Sequence, residues 1–306
     1  MMINLALTII MVMISVAFLT LYERKVLSYM QYRKGPNKAL FKGIFQPFSD
    51  MLKLISKELF YFSTSYMFYW SPMLMFLISS VLWLLYPWMF SNLMLKHSML
   101  MMVFVLSLNV YPILMISWIS VNNYSMLSMM RMISQMISFE VLMYIMVFMI
   151  MMMFNDYSMM SSINYQKNIK FVILMYPVYF VFALSLLIDL NRVPFDLVEG
   201  ESELVSGFNI EYYSSLFTLI FLSEYMNLLF MSTVLVILFY GLEYWKLTFI
   251  MVYLLNLSLL VLIRGVLPRI RYDHLMYTCW MELMVVMILY LIYAYMVKEI
   301  FMMLNM

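Results

Sequence analysis

MMINLALTIIMVMISVAFLTLY (1–22) decides the fold of this chain: it carries no charge, and Glu23, Arg24 and Lys25 follow it directly. A helix of that length rises about 33 Å, enough to cross a bilayer core of about 30 Å. The stretch has neither a basic leading region nor an A-x-A-like cleavage pattern, so it reads as a retained first span, not a removable signal.

The same pattern repeats along the chain. Apolar runs at 66–90, 99–121, 133–154, 170–188, 216–240, 247–266 and 278–300 bring the expected count to eight spans. Each is expected to be helical, because a helix satisfies its own backbone groups in lipid. Pro112 and the polar stretch 120–128 interrupt the third and fourth. Composition agrees: 66% of residues are hydrophobic and 11% charged, against about 25% charged in a soluble domain. The fold class is therefore all-α and polytopic, a single transmembrane domain over 1–306.

Charge placement gives the spans a direction. The segments after spans 1, 3, 5 and 7 hold thirteen of the eighteen basic residues; Lys96, Lys167, Lys170, Lys246 and Lys298 are on the other side. Basic loops stay on the cytoplasmic or matrix side, so both termini are expected opposite. Two inner loops stand out. The first, 23–58, carries eight basic and three acidic residues. Within it Ile44, Phe48, Met51, Leu52, Ile55 and Leu59 follow helical spacing, and Pro47 suits a first turn, so an amphipathic helix in the membrane surface is expected. The second, 189–215, opens with DLNRVPFDLVEGESELVSGFNIE (189–211), six carboxylates against Arg192 alone. Loops of opposite charge on one side should lie together.

Several chemistries are excluded. The lone Cys279 permits no internal disulfide and no thiolate cluster, and His97 and His274 are ordinary polar residues near a membrane surface. The six glycines form no phosphate-cradling pattern, and no basic stripe with stacking aromatics points to nucleic acid. Any redox centre then belongs to a partner or is a bound lipid-soluble molecule. Forty methionines exceed what packing requires and fit a coding bias.

The carboxylates inside the spans carry the chemistry. An acid at a helix centre costs about 2.5–3.5 kcal/mol on insertion, so it usually marks an ion or proton path. Glu140 falls in span 4 and Glu224 in span 6; Glu282, near a span end, reads as an interfacial carboxylate. Asp196, Glu199 and Glu203, spaced i, i+3, i+7, would share a helical face, with Glu201 pointing elsewhere. A solvated acidic loop is the ordinary reading of such a run; the interleaved Val193, Phe195, Leu197 and Phe208 favour a packed one.

NRVPFDLVEGESELVSGFNIEY (191–212) resembles the signature loop of the chain 1 subunits of NADH:ubiquinone oxidoreductase, respiratory complex I. ERKVLSYMQYRKGPNK (23–38) and QPFSDMLKLISKE (46–58) are similar to that family's first inner loop, and ISFE (137–140), SEYMN (223–227) and LPRIRYDHLM (267–276) match further motifs. The likeness covers essentially the whole chain in order, and the methionine excess resembles a mitochondrially encoded, invertebrate version. It implies a multi-pass subunit of the mitochondrial inner membrane with long loops toward the matrix. The implied neighbours are other membrane and hydrophilic subunits and membrane lipid. Ubiquinone would be the bound substrate, with FMN and iron–sulphur clusters in partner subunits. By position, the resemblance implies a quinone path shaped by Arg24, Asp50, Phe221, Tyr225 and Arg264. It also implies a proton-coupling set of Glu140, Asp189, Asp196, Glu199, Glu201, Glu203, Glu211 and Glu224. The family usually has Glu at 189, Thr at 190 and Gly at 28, where this chain has Asp, Leu and Ser. Two other classes fit buried acids: a proton-coupled secondary transporter, disfavoured by the lack of an internal repeat, and a membrane subunit of a related hydrogenase.

Overall fold

The computed structural model describes residues 2–39, 41–58, 66–87, 96–120, 122–167, 170–197, 207–243 and 245–304. Among these residues the regular structure is helical and contains no strand. Seven helices are long and apolar enough to cross a membrane, and an eighth apolar helix, Tyr176–Asp189, is shorter.

α1 (Met2–Met30) continues as helix through Glu23, Arg24 and Lys25, so the basic loop expected from residue 23 starts inside a helix. α2 (Gln46–Ile55) has Pro47 in its first turn, where a missing N–H costs nothing. α3 (Met67–Leu84) follows. α4 (Ser98–Leu108) and α5 (Val110–Ile119) make up the third span, broken at Asn109. Pro112 explains the break, since its ring crowds the carbonyl four residues earlier.

The polar stretch at 120–128 does not interrupt the fourth span as expected. It begins α6 (Asn123–Phe154), with the Asn122 side chain accepting a bond from the Tyr124 N–H. Ser125 and Ser128 bury their hydroxyls by donating to carbonyls three residues back, the usual way a serine is satisfied inside a span. After α7 (Met159–Tyr165), the fifth span divides into α8 (Phe171–Leu174) and α9 (Tyr176–Asp189), because Pro177 sits in the first turn of α9. Asp189, expected to open a loop, is the last helical residue.

α10 (Ser214–Leu235) runs into a π-helical turn, Val236–Tyr240. Then come α11 (Leu247–Val266), α12 (Tyr272–Tyr277), a second π-helical turn (Thr278–Leu283) and α13 (Met284–Leu304). α10 is the hub: 89% of its most apolar window is buried, against 17% for Tyr272–Ile300. It packs along α3 and also touches α1, α2 and α11. The outer helices leave large apolar side chains such as Leu254, Leu255 and Leu289 exposed, which suits a lipid environment.

The connections sort to two ends. At one, Arg192 and Arg264 meet Glu23, Ile270 N–H donates to the Pro194 carbonyl, and Ser214 donates to the Lys57 carbonyl. At the other, Met99 N–H donates to the Tyr157 carbonyl and Gln166 Nε2 to that of Leu238. The segment after α9 meets the end of α1 through Arg192 and Glu23, a pair whose charges are the reverse of the net charges of the two expected loops.

Candidate functional site

The last turns of α1 carry Glu23 and Arg24 about 100° apart around the helix, so they face different surroundings. Glu23 turns inward and is 5% exposed. The Tyr225 hydroxyl donates to its carboxylate at 2.6 Å, Arg192 Nη1 donates at 3.0 Å, and Arg264 Nη1 donates to the same oxygen as Arg192. The Arg192 guanidinium also lies 4.3 Å from the centroid of the Tyr225 ring, within cation–π range. Burial pulls its pKa down, but Tyr225 and Glu23 outweigh burial and hold it above the ordinary arginine value. Two guanidiniums thus share one carboxylate at this junction of α1, α10, α11 and the segment after α9, and Glu224 of α10 adds its charge to the field at Arg192.

Arg24 faces outward and pairs with Asp50 of α2 at 2.5 Å, and Gln46 Nε2 donates to the other Asp50 oxygen at 3.0 Å. This pair stands at a mostly apolar cavity of about 150 Å³ among α1, α2 and α10, walled by Ala17, Pro47, Met51, Leu54, Phe217 and Phe221. A second cavity of about 170 Å³ adjoins it. Its walls include Asp189, Arg192, Asp196, Glu224, Tyr225 and Arg264, together with Asn109, Asn191, Asn209 and Asn227. Phe217 and Phe221 line both cavities, so an apolar chamber and a polar one share an aromatic wall.

Local sequence explains this placement. Phe217, Phe221 and Glu224 recur at helical spacing on α10 and present one face to the polar cavity. At the end of α9, Asn191 takes a left-handed conformation with φ 48° and Arg192 N–H returns to the Leu187 carbonyl, which turns the Arg192 side chain back toward α1. Gln135 of α6 donates to the Ile188 carbonyl at 3.1 Å and fixes the same helix end. Arg269 Nη2 pairs with Asp196 at 3.2 Å, tying the segment after α11 to the one after α9.

The expected residues are only partly brought together. Arg24, Asp50 and Phe221 share the apolar cavity; Phe221, Tyr225 and Arg264 share the polar one with Asp189, Asp196 and Glu224. Glu140 stands apart on α6, its carboxylate 3.5 Å from the Tyr144 hydroxyl, within electrostatic reach of Asp189. Glu211 lies outside the cavity walls, beside Tyr212. The Tyr212 phenol stacks on Phe68 at 4.4 Å, and burial pushes it up to about 12 against the pull of its Ser71 hydrogen bond. Glu199, Glu201 and Glu203 fall outside the described residues, so the shared face expected of 196, 199 and 203 does too.

Sequence reasoning missed Glu23 and Arg192. Both had a signal: Glu23 is an acid following an apolar span with no break, and Arg192 is the one cation among six carboxylates. What pairs them is an approach between residues 169 positions apart, which no local pattern encodes.

These features define a helical membrane protein with a polar chamber near one end of its bundle and an apolar chamber against it. The NADH dehydrogenase family profile matches residues 3–295. The chain is 56% identical over 297 residues to NADH-ubiquinone oxidoreductase chain 1 of Apis mellifera ligustica, covering 97% of each. It is 40% identical to the chain of that name from Aedes aegypti, covering 95% and 94%, and 39% identical to that of Didelphis virginiana, covering 91% and 90%. The chain belongs to the NADH dehydrogenase family.

Proposed function

We propose that this chain admits ubiquinone through its apolar chamber and begins, in its polar chamber, the transfer of redox energy to protons. The chain is a membrane subunit of an NADH–ubiquinone oxidoreductase, an electron-transport enzyme, and works beside other subunits of that complex. In this reading the long basic loops face the matrix of the mitochondrial inner membrane. Hydrophilic partners hold the flavin and iron–sulphur centres and pass electrons to the quinone.

The observation that carries the proposal is the wall shared by the two chambers at Phe217 and Phe221. A quinone is an apolar tail with a polar, proton-accepting head. A greasy opening between a surface helix and the bundle suits the tail. The charged space beyond it suits groups that respond when the head is reduced. Glu23, Arg192, Arg264 and Tyr225 would set the potential at that boundary, and Asp189, Asp196 and Glu224 would answer it. Closely placed carboxylates titrate as a set, so a charge change at one end shifts protons at the other.

A photoreactive ubiquinone analogue bound to the intact complex tests the access path. Labelling within 20–60 or 215–230 of this chain is expected. Labelling confined to partner subunits would sink the assignment.

A further inference from the structure

The surface helix α2 walls the apolar chamber with Met51 and Leu54. Its first half is fastened to α1, by the Arg24–Asp50 pair and by Phe48 set edge-on against Phe18 at 6.0 Å. Its far end is fastened differently. The last carbonyls of a helix have no partner within it, and α2 does not close on a left-handed cap, since Ser56 keeps φ −74°. A donor arrives from 157 positions along the chain. Ser214, at the head of α10, is 1% exposed. Its hydroxyl donates to the Lys57 carbonyl at 2.7 Å and lies 3.3 Å from that of Leu54.

A serine at a helix start ordinarily turns its oxygen onto its own helix, accepting from an N–H in the first turn. Ser214 turns outward instead. It stands at φ 61°, a left-handed backbone that serine rarely adopts, with its hydroxyl given to α2. The support is firm: two residues earlier Tyr212 stacks on Phe68 at 4.4 Å, and its hydroxyl donates to the Phe68 carbonyl at 3.3 Å. Phe217, Thr218 and Phe221 follow Ser214 at i+3, i+4 and i+7, so the face of α10 that bonds α2 also walls the chamber. We infer that Ser214 is a positioning residue for quinone entry. Its hydroxyl caps α2 from outside and sets the gap between Met51 and Leu54 on one wall and Phe217 and Phe221 on the other. Width decides how an apolar passage holds an apolar tail: a gap of about 0.5–1 Å forfeits a quarter to a half of a dispersion contact. A surface helix held at one end only would let its wall part from the tail by that much.

The role in entry rests on the apolar chamber being the quinone's way in; the capping of α2 does not. Amide hydrogen exchange over 52–57 in the intact complex reports the cap. Ser214→Ala should speed it about tenfold, the equivalent of one lost hydrogen bond. Ser214→Gly also loses the hydroxyl but relaxes the left-handed backbone, and it should match Ser214→Ala. Ser214→Cys, a weaker donor of similar size, should fall between Ser214→Ala and the wild type, and it is the variant to read if the alanine form does not assemble. Exchange unchanged by loss of the hydroxyl overturns the proposal. Wild-type exchange in Ser214→Gly alone would make the position a matter of backbone conformation and overturns it too. In turnover, Ser214→Ala should raise KM for ubiquinone severalfold with kcat held, a split that general loosening of the fold does not give. Leu54→Trp, which narrows the same chamber, separates the two readings. If it raises KM and Ser214→Ala does not, the role of Ser214 in entry is wrong; if neither moves KM, the chamber is not the way in, and the cap still stands or falls on the exchange.

Discussion

Glu23 is the residue whose loss should be felt most, because its charge is shared. Glu23→Gln keeps the shape and an acceptor for Tyr225 but removes the carboxylate that Arg192 and Arg264 share, and breaking a buried ion pair at one partner costs up to about 3–5 kcal/mol, less here because Arg264 is part-exposed and Glu224 still acts on Arg192. Removing either arginine is milder, since the carboxylate keeps the other. Arg192, with its side chain 15% exposed and stacked on Tyr225, should matter more than Arg264 at 37%. The expected order of damage is Glu23→Gln, then Arg192→Gln, then Arg264→Gln, read as thermal inactivation and yield of assembled complex. Equal effects at all three positions would show that the cluster does not act as a unit. Glu140 allows a second residue-scale test. Among the described residues its buried Oε1 has no hydrogen-bond partner, and it sits near Asp189, so Glu140→Gln is expected to lower protons pumped per electron. Unchanged stoichiometry in assembled complex would remove Glu140 from the coupling set.

At the scale of the element, α2 presents two apolar aspects with different duties. Met51 and Leu54 wall the apolar chamber, while Leu52 and Ile55 point outward at 68% and 55% exposure. Leu54→Trp should raise the quinone KM by narrowing the chamber, and Leu52→Trp should leave it unchanged; the reverse pattern would place the path elsewhere. The end of α1 gives a packing test. A Cβ added at Gly35 would lie 2.8 Å from Ser28 Oγ and 3.3 Å from Lys25 Cα. Gly35→Ala should therefore destabilise by about 1–3 kcal/mol, as overpacking does. Adding Ser28→Gly should relieve part of that, and no rescue would locate the strain at Lys25. These elements also show what sequence can disclose. The apolar length of 1–22 and the stripe with Pro47 are local, and both were legible. The division at Met175 was also present locally, in Pro177, but a long apolar run masked it. The meaning of 120–128 was hidden because serines that bond their own helix look, in sequence, like a loop. The Glu23–Arg192 pair was illegible for a different reason: it exists only once α1 and the end of α9 are packed.

For the whole molecule, the division into two ends turns orientation into a question with one answer. Glu23, Asp196 and Arg269 share an end with α2, and the turns around Asn155 and Gln166 occupy the other. If the positive-inside asymmetry governs insertion, the first end faces the matrix. Lys53 on α2 and Lys246 before α11 are exposed representatives of the two ends. Cys279 is buried, so the native thiol contributes little background to labelling of this chain. A membrane-impermeant maleimide should then label Lys53→Cys only in inside-out particles and Lys246→Cys only in right-side-out mitoplasts. The opposite pattern would put the basic loops and both chambers' charged end outside the matrix, where no hydrophilic partner could pass electrons to a quinone held here. Labelling of both sites from one side would break the alternation of spans itself, and with it the assignment of Tyr176–Asp189 as a crossing helix despite its length. The experiment therefore tests the direction of insertion and the shortest span together.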